Sequence, residues 1–219
     1  MKRPAFAVLF DMDGVLVDNN PFHKKAYLEF CRRHGVSLTD AEFEKHLFGR
    51  TNRDVLRRLF GPLSAARTRA YEREKERLYR RLYAPHIRPL KGVRRFLRAL
   101  RTAGVPVALA TSAPPENVRY TLSGTGLGRA FDAILDSRAV KKGKPDPEIY
   151  LKSARRLGVP PRRCVVIEDS LSGIRAARRA RMPVVAVTTT HSRRELSRRA
   201  DLVVDDFSEL DPAGMLRLF

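Results

Sequence analysis

The segment AVLFDMDGVLVD, residues 7–18, decides how the rest of the chain is interpreted. Four apolar residues are followed by Asp11 and Asp13, and Gly14 comes directly after them. In extended chain, residues two apart point to the same side, so both carboxylates can face one space. Glycine then permits a sharp exit from the strand. A buried strand that ends in paired negative charge indicates a functional site at its carboxyl end.

Five more β-rich runs follow, and helix-length amphipathic patterns lie between the later ones. The pattern "KGVRRFLRALRTAG", for example, places Val93, Phe96, Leu97 and Leu100 on one face. Strands that alternate with helices predict an α/β protein, a doubly wound parallel sheet covered on both faces. The predicted strands are 5–10, 105–111, 133–137, 164–169, 183–189 and 201–206.

A long segment without a comparable strand separates the first two strands. It contains four helical patterns, with glycines between them at positions 35, 49 and 61. We therefore expect a helical cap domain, residues 18–84, inserted into a core domain formed by 1–17 and 85–219. Such an insert is placed where it can cover the carboxyl ends of the sheet.

The composition excludes several classes of protein. The chain has 219 residues and a net charge of +20, and its basic residues are 34 arginines and ten lysines. The arginines form scattered doublets beside apolar residues, which indicates solvated helix faces and weak, salt-sensitive adhesion to polyanions rather than specific nucleic-acid recognition. Apolar runs are too short for a membrane span. We expect a cytoplasmic protein, a monomer or weak dimer, with no membrane partner.

Polar side chains follow the other predicted strands as well. They are Thr111 and Ser112 after the second strand, Lys144 in a later loop, and Glu168 and Asp169 after the fourth. In open α/β sheets these positions meet at one edge, where ligands bind. Two carboxylates about 4 Å apart repel by about 4 kcal/mol at an effective dielectric constant of 20, so a cation is needed.

Oxygen ligands without cysteine or histidine favour a hard divalent ion, and Mg²⁺ is the expected cofactor. Lys144 adds a fixed positive charge, and a helix is predicted to begin near Pro114. A cation, an ammonium group, a hydroxyl and a helix amino end together indicate a phosphate site.

These residues carry a resemblance to a known family. "FDMDGVLVD", "ALATS", "KKGKPDP" and "VVIEDSLSGIRAA" resemble, in order, the four motifs of the haloacid dehalogenase superfamily of phosphotransferases. The resemblance covers nearly the whole chain and is greatest to the subgroup of β-phosphoglucomutase and small sugar phosphatases. It implies a Rossmann-like core with a helical cap.

The resemblance also implies roles for the residues. Asp11 would be the nucleophile that becomes an aspartyl-phosphate, and Asp13 the general acid and base. Thr111 and Lys144 would bind phosphoryl oxygens, with Ser112 as a further substrate contact. The implied metal ligands are Asp11, Asp13 through its main-chain carbonyl, Glu168 and Asp169.

Two simpler interpretations concern the same motifs. Asp-x-Asp-Gly also occurs in calcium loops, but that alignment puts Leu9 at the first ligand position and Asn20 at the place of the bidentate glutamate. Glu168 and Asp169 could alternatively cap the helix that opens at Ser170.

Candidate substrate-binding residues lie in the helical insert. His23 occupies a position where the family often has a histidine that assists the acid. The segment "GRTNRD" offers Gly49, Arg50, Asn52 and Arg53, whose guanidinium groups suit a distal anionic group. The same segment also fits an ordinary helix-capping pattern.

The favoured function is Mg²⁺-dependent hydrolysis of a small phosphate ester of the sugar phosphate class. The alternative is β-phosphoglucomutase, which has a lysine before the insert glycine and a serine-lysine pair after the second motif. This chain has Phe48 and Ala113-Pro114 there. Pyrophosphate hydrolysis and a non-catalytic basic binding module remain further alternatives.

Overall fold

A computed structural model describes residues 5–47 and 51–219 of the chain. They divide into two compact units. The sheet unit comprises Met1–Asp18 and Arg88–Phe219, and the helical unit comprises Asn19–Ile87. None of the helices in the described residues is long and apolar enough to cross a membrane.

The sheet unit contains six parallel strands in the order β3-β2-β1-β4-β5-β6. Strand β1 lies at the centre, where the chain order reverses, with Val8 opposite both Val107 and Val165. This arrangement confirms the predicted α/β class. The strands are β1 (Ala7–Phe10), β2 (Val107–Ala110), β3 (Ala133–Leu135), β4 (Cys164–Glu168), β5 (Val184–Val187) and β6 (Leu202–Val204).

Five of the six strands end one or two residues before the predicted runs, because the polar residues at their carboxyl ends leave the ladder; β1 ends at Phe10 as predicted and begins later, at Ala7. Thr111, for example, follows the last paired residue of β2 and still donates its N–H to the carbonyl of Leu135. In these five strands, the residues that end the predicted run therefore lie in the loop that follows the strand.

Helices cover both faces of the sheet. On one face Leu9 packs in a cluster with Ile149, Tyr150 and Ile174. On the other, the ring of Phe10 lies 6.1 Å from that of Phe96. Burying each such side chain contributes about 1.5–3 kcal/mol. The helices of this unit are α5 (Val93–Thr102), α6 (Pro115–Thr125), α7 (Glu148–Leu157), α8 (Leu171–Arg179), α9 (Arg193–Leu196) and α10 (Pro212–Leu216).

The helical unit, Asn19–Ile87, follows β1 in the chain. Its helices are α1 (Asn20–Arg33), α2 (Asp40–His46), α3 (Asn52–Phe60) and α4 (Ala65–Tyr83). Thr39, Thr51 and Ser64 cap the last three through side-chain oxygens that accept backbone N–H groups. A small apolar core holds α1, α2 and α3 together. It consists of Tyr27, Phe43, Leu47 and Val55.

Candidate active site

Three carboxylates meet at the carboxyl ends of the central strands. Asp11 follows β1, Glu168 ends the neighbouring β4, and Asp169 comes next. All three residues are buried, and one oxygen from each lies within 4.8 Å of the others. We call these residues the acid cluster. They lie where the strand order reverses, which is where open α/β sheets place their ligand sites.

Lys144 reaches the acid cluster from the loop before α7. Its Nζ donates to Asp11 Oδ1 and to Glu168 Oε1, each at 2.7 Å. The Lys144 side chain is only 6% exposed, so the ammonium group is largely removed from water. One buried cation faces three buried carboxylates, which leaves an excess of negative charge.

Glu168 is held on both of its oxygens by donors of the protein itself. Oε1 accepts from Lys144 and from the Tyr150 hydroxyl at 2.7 Å, and Oε2 accepts from the N–H groups of Asp169 and Ser170 and from the Ser170 hydroxyl. A carboxylate has about four lone-pair sites, so these donors satisfy it. A Cβ on Gly173 would stand 1.7 Å from Oε1, so glycine leaves the space that Glu168 fills.

Burial and charge shift the pKa values of these groups in opposite directions. Burial, together with the Glu168 and Asp13 charges, outweighs the Lys144 ammonium and raises the pKa of Asp11 to about 7. Burial and the charges of Glu168 and Asp11 also raise the pKa of Asp169 well above its usual value.

In Glu168 and Lys144 the ion pair outweighs burial. Burial alone would raise the pKa of Glu168, but the Lys144 charge and the hydrogen bonds from Lys144 and Tyr150 lower it. Burial alone would lower the pKa of Lys144, but the Asp11 and Glu168 charges raise it well above its usual value. The Glu168–Lys144 pair is therefore ionised, and the excess charge falls on Asp11 and Asp169.

The acid cluster fits a hard divalent cation. Its donors are carboxylate oxygens alone, they lie close together, and two of them have pKa values raised by burial and mutual repulsion. A dication would offset that repulsion and favour the ionised form of both carboxyls.

Asp13 is half-buried in the turn that follows β1. Gly14 has a φ of 74°, a left-handed conformation that glycine adopts without a steric cost, and its N–H donates to the carbonyl of Val17 at 2.8 Å. The chain thus reverses directly after Asp13, as the sequence predicts from Gly14.

Thr111 and Ser112 lie at the same edge of the sheet as Asp11, because Phe10 pairs with Leu109 and strands β1 and β2 both end at this edge. Thr111 is buried, and its Oγ1 accepts the N–H of Ala113 at 3.0 Å. That bond does not use the hydroxyl hydrogen of Thr111, which can be donated to an acceptor. Ser112 is exposed, and α6 begins three residues later at Pro115.

Among the candidate substrate residues of the helical unit, His23 belongs to a buried polar group. Lys75 Nζ donates to His23 Nδ1 at 2.8 Å and to Glu76 Oε1 at 2.8 Å. The His23 ring stacks on Tyr79 with centroids 3.8 Å apart. Since Nδ1 accepts a hydrogen bond, the neutral ring carries its proton on Nε2, which is buried without a partner in the described residues.

Asn52 belongs to the same group. Its Oδ1 accepts from the Tyr27 hydroxyl at 2.5 Å, and its Nδ2 donates to Glu76 Oε1 at 2.7 Å. The Asn52 amide thus bridges α1 and α4, a role that its position in the sequence does not reveal. Arg53, next in the chain, is exposed, and Gly49 and Arg50 lie outside the described residues, as does Phe48.

Two residues that donate hydrogen bonds to the acid cluster, Tyr150 and Thr190, were not predicted from the sequence. Tyr150 occupies the buried face of α7 and carries the hydroxyl that bonds Glu168. Thr190, in the loop after β5, donates its hydroxyl to Asp169 Oδ2. The run of three threonines at the carboxyl end of a predicted strand is a signal that could have drawn attention to it.

Proteins of known function match this chain over most of its length. A curated relative, a phosphorylated carbohydrates phosphatase from Thermotoga maritima, is 36% identical over 80% of this chain and 81% of its own. Some other curated relatives are longer proteins, and the match spans 57% of one and 18% of another.

Solved structures resemble the whole chain. A family IA, variant 3 hydrolase from Entamoeba histolytica superposes with a TM-score of 0.91 at 32% identity, over 97% of this chain and 98% of that one. A β-phosphoglucomutase from Clostridium difficile gives a TM-score of 0.84 at 28% identity, over 97% and 96% of the two chains. The family model described as haloacid dehalogenase-like hydrolase matches residues 7–181, and the chain belongs to that hydrolase family.

Proposed function

We propose that this chain is a Mg²⁺-dependent phosphatase that hydrolyses the phosphate ester of a small phosphorylated carbohydrate. The observation that carries the proposal is the contact of Lys144 Nζ with Asp11 Oδ1 inside the acid cluster. The Lys144 ammonium group steadies the Asp11 carboxylate, and it uses two of its three N–H donors on Asp11 and Glu168, so the third can donate to a phosphoryl oxygen. Membership of the hydrolase family supports the reaction class.

Asp11 and Asp169 are the ligands that we assign to Mg²⁺, together with the main-chain carbonyl of Asp13. Glu168 was expected among them, but its oxygens already accept five hydrogen bonds, so we assign it to holding Lys144. When bound, the ion would supply electrostatic stabilisation of the charge on the transferring phosphoryl group.

The residues divide the reaction into two displacements. A carboxylate oxygen of Asp11 forms a bond to phosphorus while the bond to the sugar oxygen breaks, and Asp13 donates its proton to that leaving oxygen. Asp13 then takes a proton from water, whose oxygen attacks phosphorus and releases Asp11 and inorganic phosphate. Thr111 donates its free hydroxyl hydrogen to a phosphoryl oxygen throughout.

The substrate class is proposed from the relatives. The Thermotoga maritima relative is a phosphatase of phosphorylated carbohydrates, and a hexitol phosphatase from Escherichia coli is 31% identical over 92% of this chain. Arg53 of the helical unit is exposed, and a guanidinium group is suited to an anionic ligand group. We also infer a cytoplasmic location, which cell fractionation tests.

The likeness to a solved β-phosphoglucomutase keeps mutase activity as a second candidate. A mutase must hold a second phosphate. The two positions after Ser112 offer no side-chain donor for it, because Ala113 is buried and Pro114 precedes α6. This observation favours hydrolysis.

The test is a panel of sugar phosphates with phosphate release measured, alongside conversion of β-glucose 1-phosphate to glucose 6-phosphate. We expect release that requires Mg²⁺ and falls by about a thousandfold or more in Asp11→Asn. The matched control is Asp205→Asn, an exposed carboxylate after β6, which should retain activity. Conversion without release would identify a mutase, and equal turnover by Asp11→Asn would refute the mechanism.

A further inference from the structure

Three consecutive threonines follow β5, and each hydroxyl donates to a different part of the sheet unit. Thr188 Oγ1 donates to Asp205 Oδ1 at 2.7 Å, and Thr189 Oγ1 donates to the carbonyl of Gly14 at 2.5 Å. Thr190 Oγ1 donates to Asp169 Oδ2. The same short loop thus contacts the end of β6, the turn after Asp13 and the acid cluster.

The position of this loop follows from the sheet. Strand β5 lies beside β4, with Ala186 opposite Glu168, so the chain leaves β5 next to Asp169. Asp169 is 2% exposed, and its carboxylate lies near two other negative groups. A hydroxyl donor on one oxygen fixes the orientation of the carboxylate and offsets part of its charge.

We propose that Thr190 is a positioning residue for Asp169, and that its hydroxyl holds the carboxylate in the orientation that binds the divalent cation. This inference rests on the proposed function, which places Mg²⁺ at the acid cluster. Donors that bond to a metal-ligating side chain orient that ligand, and their removal costs about 10- to 100-fold in metal affinity.

The experiment is titration calorimetry of Mg²⁺ into the full, metal-free chain. Thr190→Val keeps the size of the side chain and removes the hydroxyl, and we expect its Mg²⁺ dissociation constant to rise about 10- to 100-fold. Thr190→Ser retains the hydroxyl and should bind within about threefold of the unaltered chain. Thr188→Val is the matched control, because it loses a hydroxyl of the same loop that bonds Asp205 instead, and its Mg²⁺ affinity should not change.

The outcomes separate the inference from the proposed function. If the unaltered chain binds no Mg²⁺, the proposed metal site itself is wrong, and the inference falls with it. If the unaltered chain binds Mg²⁺ and Asp169→Asn does not, but Thr190→Val binds as tightly as the unaltered chain, Thr190 has no positioning role. Equal weakening in Thr188→Val, or failure of Thr190→Ser to restore affinity, would also overturn the inference. Circular dichroism of each variant verifies that the chain is folded.

Discussion

Each of the two units buries ionised side chains, and the two groups differ in their balance of charge. In the helical unit, Lys75 donates to Glu76 and to the neutral His23, and Asn52 also donates to Glu76; we call these four residues the balanced group. In the sheet unit, Lys144 faces three carboxylates. A buried ion pair stabilises a fold only if both partners remain, whereas an excess of buried negative charge is a cost that a bound cation offsets. We conclude that the first group is organised for the fold and the second for a ligand.

The largest expected effect is the loss of one partner from the balanced group. Glu76→Gln leaves the Lys75 ammonium buried without its carboxylate, and we expect the free energy of unfolding to fall by about 3–5 kcal/mol. Urea unfolding at neutral pH measures it. Glu74→Gln lies on the same helix as Glu76 and removes a half-buried pair with His34, which follows α1; this variant should cost no more than about 1 kcal/mol. Similar losses in both variants would contradict the comparison.

Removing one charge from the acid cluster should raise the free energy of unfolding, whereas removing a partner from the balanced group should lower it. Asp169→Asn deletes a buried carboxylate whose pKa is raised, and we expect the metal-free chain to gain about 1–2 kcal/mol in free energy of unfolding. Urea unfolding in EDTA measures the gain, and Mg²⁺ should no longer stabilise this variant. Asp205→Asn, at an exposed ion pair, should give no gain. A stability loss in Asp169→Asn would show that the cluster is not over-charged.

The smallest expected effect concerns pH and the helical unit. Burial, and next the Lys75 charge, lower the pKa of His23 from 6.5 to about 3. Between these values the unfolded chain binds a proton that the folded chain does not, so the contribution of His23 to stability is lost as pH falls below 6.5. By pH 5.5 the loss should be about 1 kcal/mol for this half-buried ring.

His23→Gln provides the measurement for that prediction. The difference in free energy of unfolding between this variant and the unaltered chain should shrink or reverse from pH 7 to pH 5.5, and should stay constant from pH 7 to pH 8. A difference that does not change with pH below 6.5 would show that His23 takes up its proton in the folded chain.

The sheet and the acid cluster could be predicted from the sequence because both follow from local patterns. The apolar run before Asp11 marks a strand, and the carboxyl ends of parallel strands meet at one edge. The strand order is therefore enough to predict which residues lie close together, and the structure brings together Asp11, Lys144, Glu168 and Asp169.

The partners of these residues could not be predicted, because they depend on packing between distant segments. In the sequence, Tyr150 is only one of the apolar positions of α7, and the structure is needed to show that its hydroxyl donates to Glu168. The balanced group joins His23 to Lys75, 52 residues later in the chain, and nothing in either helix pattern pairs them. Likewise, the five hydrogen bonds that the Glu168 oxygens accept can be identified only from the three-dimensional structure.

The central place of β1 in the sheet has a consequence for biosynthesis. Of the six strands, β1 is synthesised first, and the residues of β2 and β4 that pair with Val8 lie 99 and 157 positions later in the chain. At about 5–20 residues per second, β1 waits roughly 10–30 s before its second neighbour exists. During that interval the apolar strand lacks both of its hydrogen-bonding neighbours, and an unpaired apolar strand is a site at which a nascent chain can aggregate.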